Sequence, residues 1–380
     1  MDMIWLLDAV GENGTTLLIG LVSGLVFGAF AQQSRFCLRA AAVEFSRGSI
    51  GPRLSIWLLV FGTAVLATQM MIAAGLADLN EARQLASPQS LSGAAIGGLL
   101  FGTGMVLARG CASRLLVLSA TGNLRALLSG LVFAVVAQAS LHGFLQPVRE
   151  GLAGLFTTAQ TGGNDLMAFT GISQATAIGF SALWVLAGLV LAVRSHTGIW
   201  RSAAAIGVGG AVPLAWFLTF SASQQAFTPV QVESITFTGP SADTLMLFLS
   251  RAGSVADFDV GLVPGVFLGA FLAALATREL QLQGFHDGHS MRRYLLGAAL
   301  MGFGGMLAGG CAVGAGVTGA SVFALTAWVT LGAIWLAAAI TDRLVDGGTD
   351  HAAAPRPAIA GESHSSRSSA RSGNHAFPSL

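Results

Sequence analysis

Nine stretches of seventeen to twenty-four mostly apolar residues divide this chain, near 15–33, 53–75, 91–109, 124–142, 171–193, 202–220, 261–277, 293–309 and 318–341. A helix needs about 20 such residues to cross the hydrocarbon of a bilayer. Charged residues make up only 10% of the chain and hydrophobic ones 53%. Soluble domains carry roughly 25% charged residues, so this chain lacks the means to cover a water-facing surface. The expected fold is an all-α polytopic membrane protein, with about nine transmembrane helices and short re-entrant helices. Residues 1–344 form its single transmembrane domain. Residues 345–380 are rich in Gly, Ser, Ala, Pro and Arg and read as a disordered tail. No basic residue precedes the first apolar run, unlike a cleaved signal peptide. The net charge of +1 offers nothing for nucleic acid.

Loop charge orients the spans. After the first, third, fifth and seventh lie Arg35, Arg39, Arg47 and Arg53; then Arg109, Arg114 and Arg125; then Arg194 and Arg201; then Arg278, Arg292 and Arg293. The opposite loops are acidic or nearly neutral, with Glu233, Asp243, Asp257 and Asp259 against Arg251. The positive-inside rule then predicts an outside N-terminus and a cytoplasmic C-terminus. The outer loops 143–170 and 221–260 are long and are expected to shape the external entrance.

Two repeats link the ends of the domain. Gly102-Thr103-Gly104-Met105-Val106-Leu107-Ala108-Arg109-Gly110-Cys111-Ala112 returns as Gly302-Phe303-Gly304-Gly305-Met306-Leu307-Ala308-Gly309-Gly310-Cys311-Ala312, identical at seven of eleven positions. Gly20-Leu21-Val22-Ser23-Gly24-Leu25-Val26-Phe27-Gly28-Ala29-Phe30 matches 261–271 in the same way. Glycines four apart lie on one helix face and let backbones approach. Two related halves, about 15–142 and 261–341, are therefore expected, joined by 143–260. By span count, the first repeated pair of helices runs the same way and the Gly-Cys pair oppositely. The two directions call for different symmetry axes, and re-entry of 34–50 or 310–318 is the simplest reconciliation.

Cys111 and Cys311 occupy matched repeat positions, and Cys37, in Arg35-Phe36-Cys37, also follows a glycine-rich helix. Three cysteines without CxxC exclude zinc spacing, and their odd number argues against a disulfide framework. His286 and His289 lack a third ligand nearby, so no metal is expected, and no cofactor either. Residues 91–142 contain no Asp or Glu, and 294–341 no charge at all; Glu44 is the one acid close to the cysteines. An acid-free interior disfavours a proton relay or cation site and favours an anion or soft neutral substrate. Thiols are weak donors on a polarizable atom. Broken-helix ends add backbone N–H groups, and weak contacts in series permit release. The candidate pathway residues are Cys37, Cys111, Cys311, Gly110, Gly310, Arg109, Arg114 and Arg39. The glycines would allow close backbone approach, and Cys311 would be outermost.

These Gly-Cys-Ala segments, Arg-Phe-Cys and the glycine-rich spans resemble the YeeE/YedE (sulfur transport) family of bacterial inner-membrane proteins, over roughly residues 15–342. The resemblance implies thiosulfate uptake through three functional cysteines, corresponding to Cys37, Cys111 and Cys311. It implies a separate TusA-like sulfur carrier in the cytoplasm, and some relatives are linked to selenium. Two rivals stand beside this permease: a membrane sulfurtransferase forming a cysteine persulfide, and a non-catalytic scaffold.

Overall fold

The computed structural model describes residues 4–160, 162–249, 257–284 and 288–346. His286, Arg251 and the tail beyond 346 lie outside the described residues, as does the side chain of His289. Long helices dominate: α1 (Ile4–Ser34), α3 (Pro52–Ala73), α4 (Leu91–Leu107), α6 (Leu124–His142), α7 (Gln174–Arg194), α8 (Ile199–Ser223), α10 (Phe258–Ala276), α11 (Gly288–Leu307) and α12 (Leu325–Val345). Between them lie the shorter α2 (Leu38–Ser46), α5 (Ala112–Ala120) and α9 (Thr238–Leu249). No strand forms among the described residues, only isolated bridges. Eight of the described spans are long and apolar enough to cross a membrane. In two of them a long and a short helix run together, Ile4–Ser46 and Leu91–Ala120. The twenty-residue α11 packs along α4 and α6.

The last expected span is displaced. Residues 314–318 form a π-turn, and α12 begins only at Leu325. Cys311, Val313, Val317, Ala320 and Val322 are apolar because protein covers them, not lipid. Hydropathy does not separate those two burials.

Both glycine repeats pack directly on their own mates. A methyl placed on Gly20, Gly24 or Gly28 would collide with backbone at Phe258, Leu262 and Val266 in turn, so α1 and α10 run parallel. On α4 and α11 the order reverses: Gly93 faces Leu307, Gly97 faces Gly304 and Gly104 faces Gly297. That pair is antiparallel. The span count gave both directions, and no single two-fold axis accommodates them. The short helices break the spans without reversing either pair.

Two faces result. On the basic face, Arg35 pairs with Glu279 at 3.3 Å, Arg39 with Asp346 at 3.4 Å, Arg293 with Asp346 at 2.9 Å and Arg47 with Asp342 at 2.8 Å. The acids that meet the arginines are therefore Glu279, Asp342 and Asp346. Glu44 instead accepts the Leu54 N–H at 2.7 Å, at the start of α3. At the opposite face, Asn164 ties the start of α12 to Gln84, and residues 89–92 bond to the 153–158 segment.

The loop after α8 does more than edge an entrance. Val232, Ser234, Ile235 and Phe237 are buried in the bundle. Ser234 donates to the Val212 carbonyl at 2.9 Å, and Thr318 donates to the Ile235 carbonyl at 2.6 Å. Non-helical backbone at depth needs such protein partners. Burial pushes the carboxyl of Glu233 up to about 7; Arg83 opposes the shift, while Asp257 and Asp243 add to it. With its folded value above the ordinary 4.5, Glu233 favours the fold when protonated. That contribution is complete below pH 4.5 and lost as pH rises through about 7. The thermal midpoint of the purified protein is expected to fall over this window. Glu233→Gln should flatten the fall, and an unchanged slope would disprove the assignment.

Candidate functional site

Each cysteine follows the same local event. A long helix ends, one residue takes the left-handed conformation, and the chain restarts. At Cys111 the left-handed residue is Arg109 (φ 57), and at Cys311 it is Gly309 (φ 76). The hydrogen bonds match two hundred positions apart. The N–H of Gly110 donates to the Met105 carbonyl and that of Gly310 to Gly305; the N–H of Arg109 donates to Val106 and that of Gly309 to Met306. This is the Schellman closure, which satisfies the last carbonyls of a helix. Arg35, two residues before Cys37, is left-handed as well (φ 54).

The sequence treats Gly110 and Gly310 alike, as residues that permit close backbone approach, and the structure separates them. A methyl on Gly310 would stand 2.7 Å from the Ala315 nitrogen, so that glycine is required. A methyl on Gly110 would meet the tip of Leu115 at 3.4 Å, an ordinary contact.

Cys37 and Cys111 cap α2 and α5 in extended conformation. The N–H groups of Ala40 and Arg114 turn toward the sulfurs three residues before them. At Cys311 the corresponding Gly314 N–H donates to Sγ at 3.4 Å. All three sulfurs thus lie against fresh backbone N–H groups, where a helix start favours negative charge. Cys111 and Cys311 are buried and Cys37 is half-buried.

The structure gathers two of the three. The thiols of Cys37 and Cys111 are neighbours. Ser113 Oγ lies 3.4 Å from the Cys111 sulfur, and the Arg114 guanidinium interacts electrostatically with both thiols. Cys311 stands at the other end of the α4–α11 pair, because those helices are antiparallel. Ala108 is level with Gly297, and Leu307 with Gly93. At about 1.5 Å per residue the two levels are separated by about 15 Å counted along α11 and about 22 Å counted along α4. A single constriction lined by all three thiols, as expected from the sequence, is therefore not what this arrangement presents.

Aromatic rings gather toward the Cys311 end. The Phe237 backbone approaches the Cys311 sulfur, and its ring lies 5.3 Å from that of Phe27. Phe101, midway along α4, faces Gly305. All three rings are buried. Of the other candidates, Arg39 is engaged with Asp346, and Arg109 is exposed beside them on the basic face. Among the described residues, no group of His, Cys, Asp and Glu could hold a metal ion.

A family model described as sulphur transport matches residues 33–340, a stretch that contains all three cysteines and both Gly-Cys-Ala segments. The chain belongs to the sulphur transport family. Two named relatives are similar to most of the chain. Thiosulfate transporter TsuA of Escherichia coli (strain K12) is 26% identical over 344 residues, 83% of this chain and 90% of that protein. Thiosulfate transporter TsuA of Spirochaeta thermophila is 25% identical over 329 residues, 82% of this chain and 93% of that protein.

Proposed function

We propose that this chain is a permease for thiosulfate, the substrate in the names of both relatives. The observation that carries the mechanism is the repeated broken helix, which sets each sulfur against the backbone N–H groups of the segment that follows it. The anion meets Cys311 first, passes the Phe27–Phe101–Phe237 barrier, and reaches the Cys37–Cys111 pair beside Arg114. Protonated thiols donate to it without forming a bond, since a thiolate would repel a dianion. Arg114 supplies the positive charge; Arg39 and Arg109 lie beyond it on the basic face. In this reading the basic face is cytoplasmic, as the positive-inside rule favours, and the chain sits in the bacterial inner membrane with its N-terminus outside. A TusA-like carrier would accept sulfur there. The buried aromatic barrier makes this arrangement a closed state, so transport requires the rings to move.

The test is uptake of radiolabelled thiosulfate into proteoliposomes of the purified chain. Saturable uptake, displaced by unlabelled thiosulfate but not by sulfate, is the expected result. Uptake no faster than in empty liposomes would overturn the reading. One observation favours a sulfurtransferase: two neighbouring thiols beside a guanidinium resemble an activated nucleophile. In that reaction a thiolate takes the outer sulfur of thiosulfate and releases sulfite. Intact-mass measurement after exposure to thiosulfate reads the persulfide directly.

A further inference from the structure

Below the thiol pair, the basic face holds a polar cup of about 270 Å³. Gln32 and Arg35 come from the end of α1, Arg114 from α5, and Arg278, Glu279 and Gln281 from the segment after α10. Three guanidinium groups share it with one carboxylate. Glu279 accepts from Gln32 Nε2 at 2.8 Å and pairs with Arg35 at 3.3 Å. That leaves polar atoms without partners. Arg114 Nη1 and Gln32 Oε1 are both buried and unbonded. A desolvated guanidinium nitrogen with nothing to donate to is costly. It is also the side chain that interacts with both Cys37 and Cys111, so it spans from the thiols into the cup.

The backbone gives an independent sign. Arg35 and Arg278, on opposite sides of the cup, both hold the left-handed conformation, at φ 54 and 55. Such a conformation is disfavoured for any residue other than glycine. Glycine or asparagine would end either helix more cheaply. The penalty is offset if the charge is needed at that position.

We propose that Gln32, Arg35, Arg114, Arg278 and Gln281 form a second anion site, for a tetrahedral sulfur oxoanion, in which the Glu279 carboxylate is a built-in competitor. A dianion entering the cup satisfies Arg114 Nη1 and draws Arg35 away from Glu279. On leaving, it is replaced by the carboxylate, which keeps the site from holding its ligand. The cup's place as the last station on the route rests on the permease reading. Its capacity to bind does not.

Binding is therefore measured separately from transport, by scintillation proximity with labelled sulfate on the full chain carrying Cys37→Ser, Cys111→Ser and Cys311→Ser. The same measurement on the wild-type chain, with labelled thiosulfate, guards against a folding defect in the triple variant. Arg35→Asn and Arg278→Asn remove the charge while suiting the left-handed backbone, so lost binding would not report strain. Each should weaken binding about tenfold, the value of one charge-assisted hydrogen bond. Glu279→Gln should tighten it by a similar factor. No saturable sulfate binding, or binding indifferent to all three substitutions in both backgrounds, would overturn the site even if uptake is intact. Binding that survives while uptake fails would sink the permease instead. Sulfate loaded inside proteoliposomes separates the sources. If it slows uptake and Arg278→Asn relieves the block, the ligand is an ambient oxoanion; if sulfate has no effect and Arg278→Asn slows turnover, it is the released substrate.

Discussion

Cys37→Ser and Cys111→Ser combined should slow thiosulfate uptake no more than the more damaging of the two alone, whereas adding Cys311→Ser should multiply the loss. The reason is spatial. Cys37 and Cys111 are neighbours and both interact with Arg114, so removing one disables a joint site. Residues that act as a unit are strongly non-additive. Cys311 follows the opposite end of the α4–α11 pair, whose two ends lie about 15–22 Å apart by helix rise, beyond the distance at which mutational effects usually couple. Each single substitution is expected to cost about tenfold in initial rate, equivalent to about 1.4 kcal/mol. Initial rates in proteoliposomes at equal protein density give the comparison. Multiplicative losses for Cys37 and Cys111, or full activity for the triple variant, would remove the two-station mechanism.

Gly310→Ala and Gly110→Ala should behave differently although the glycines occupy matched repeat positions. The Gly310 methyl would press on the Ala315 backbone at 2.7 Å, inside the turn that leads to the π-segment. Backbone there has nowhere to go, because Thr318 is tied to Ile235. Overpacking of this kind costs about 1–3 kcal/mol, and uptake should fall with it. The Gly110 methyl meets a leucine tip at 3.4 Å, so a change within about 0.5 kcal/mol is expected. Thermal unfolding in detergent, followed by tryptophan fluorescence, distinguishes them. Equal shifts would show that the two turns are mechanically equivalent.

Much of the architecture was legible because lipid imposes a simple rule: backbone polar groups must be bonded within the span, so long apolar runs become helices. The glycine repeats identified their own packing partners, since a four-residue glycine row is useful only where another backbone lies against it. Even the opposed directions of the two pairs followed from counting spans. The acids were less legible. Glu279, Asp342 and Asp346 meet arginines from remote segments, and no local pattern marks that pairing. Glu44, seven residues after Cys37, turns instead to the start of α3. The buried run 232–237 was also missed as an interior element, although Ser234-Ile235-Thr236-Phe237-Thr238 alternates as an extended segment does.

The sequence by itself determined an all-helical membrane chain, its paired glycine faces and its three cysteines at helix breaks, because each depends on residues close together along the chain. Only the tertiary structure decided that two thiols become neighbours while the third stands apart, and that three arginines line one cup with a single carboxylate. Those outcomes depend on which ends of antiparallel helices face one another, and side chains hundreds of residues apart carry no record of it in their order.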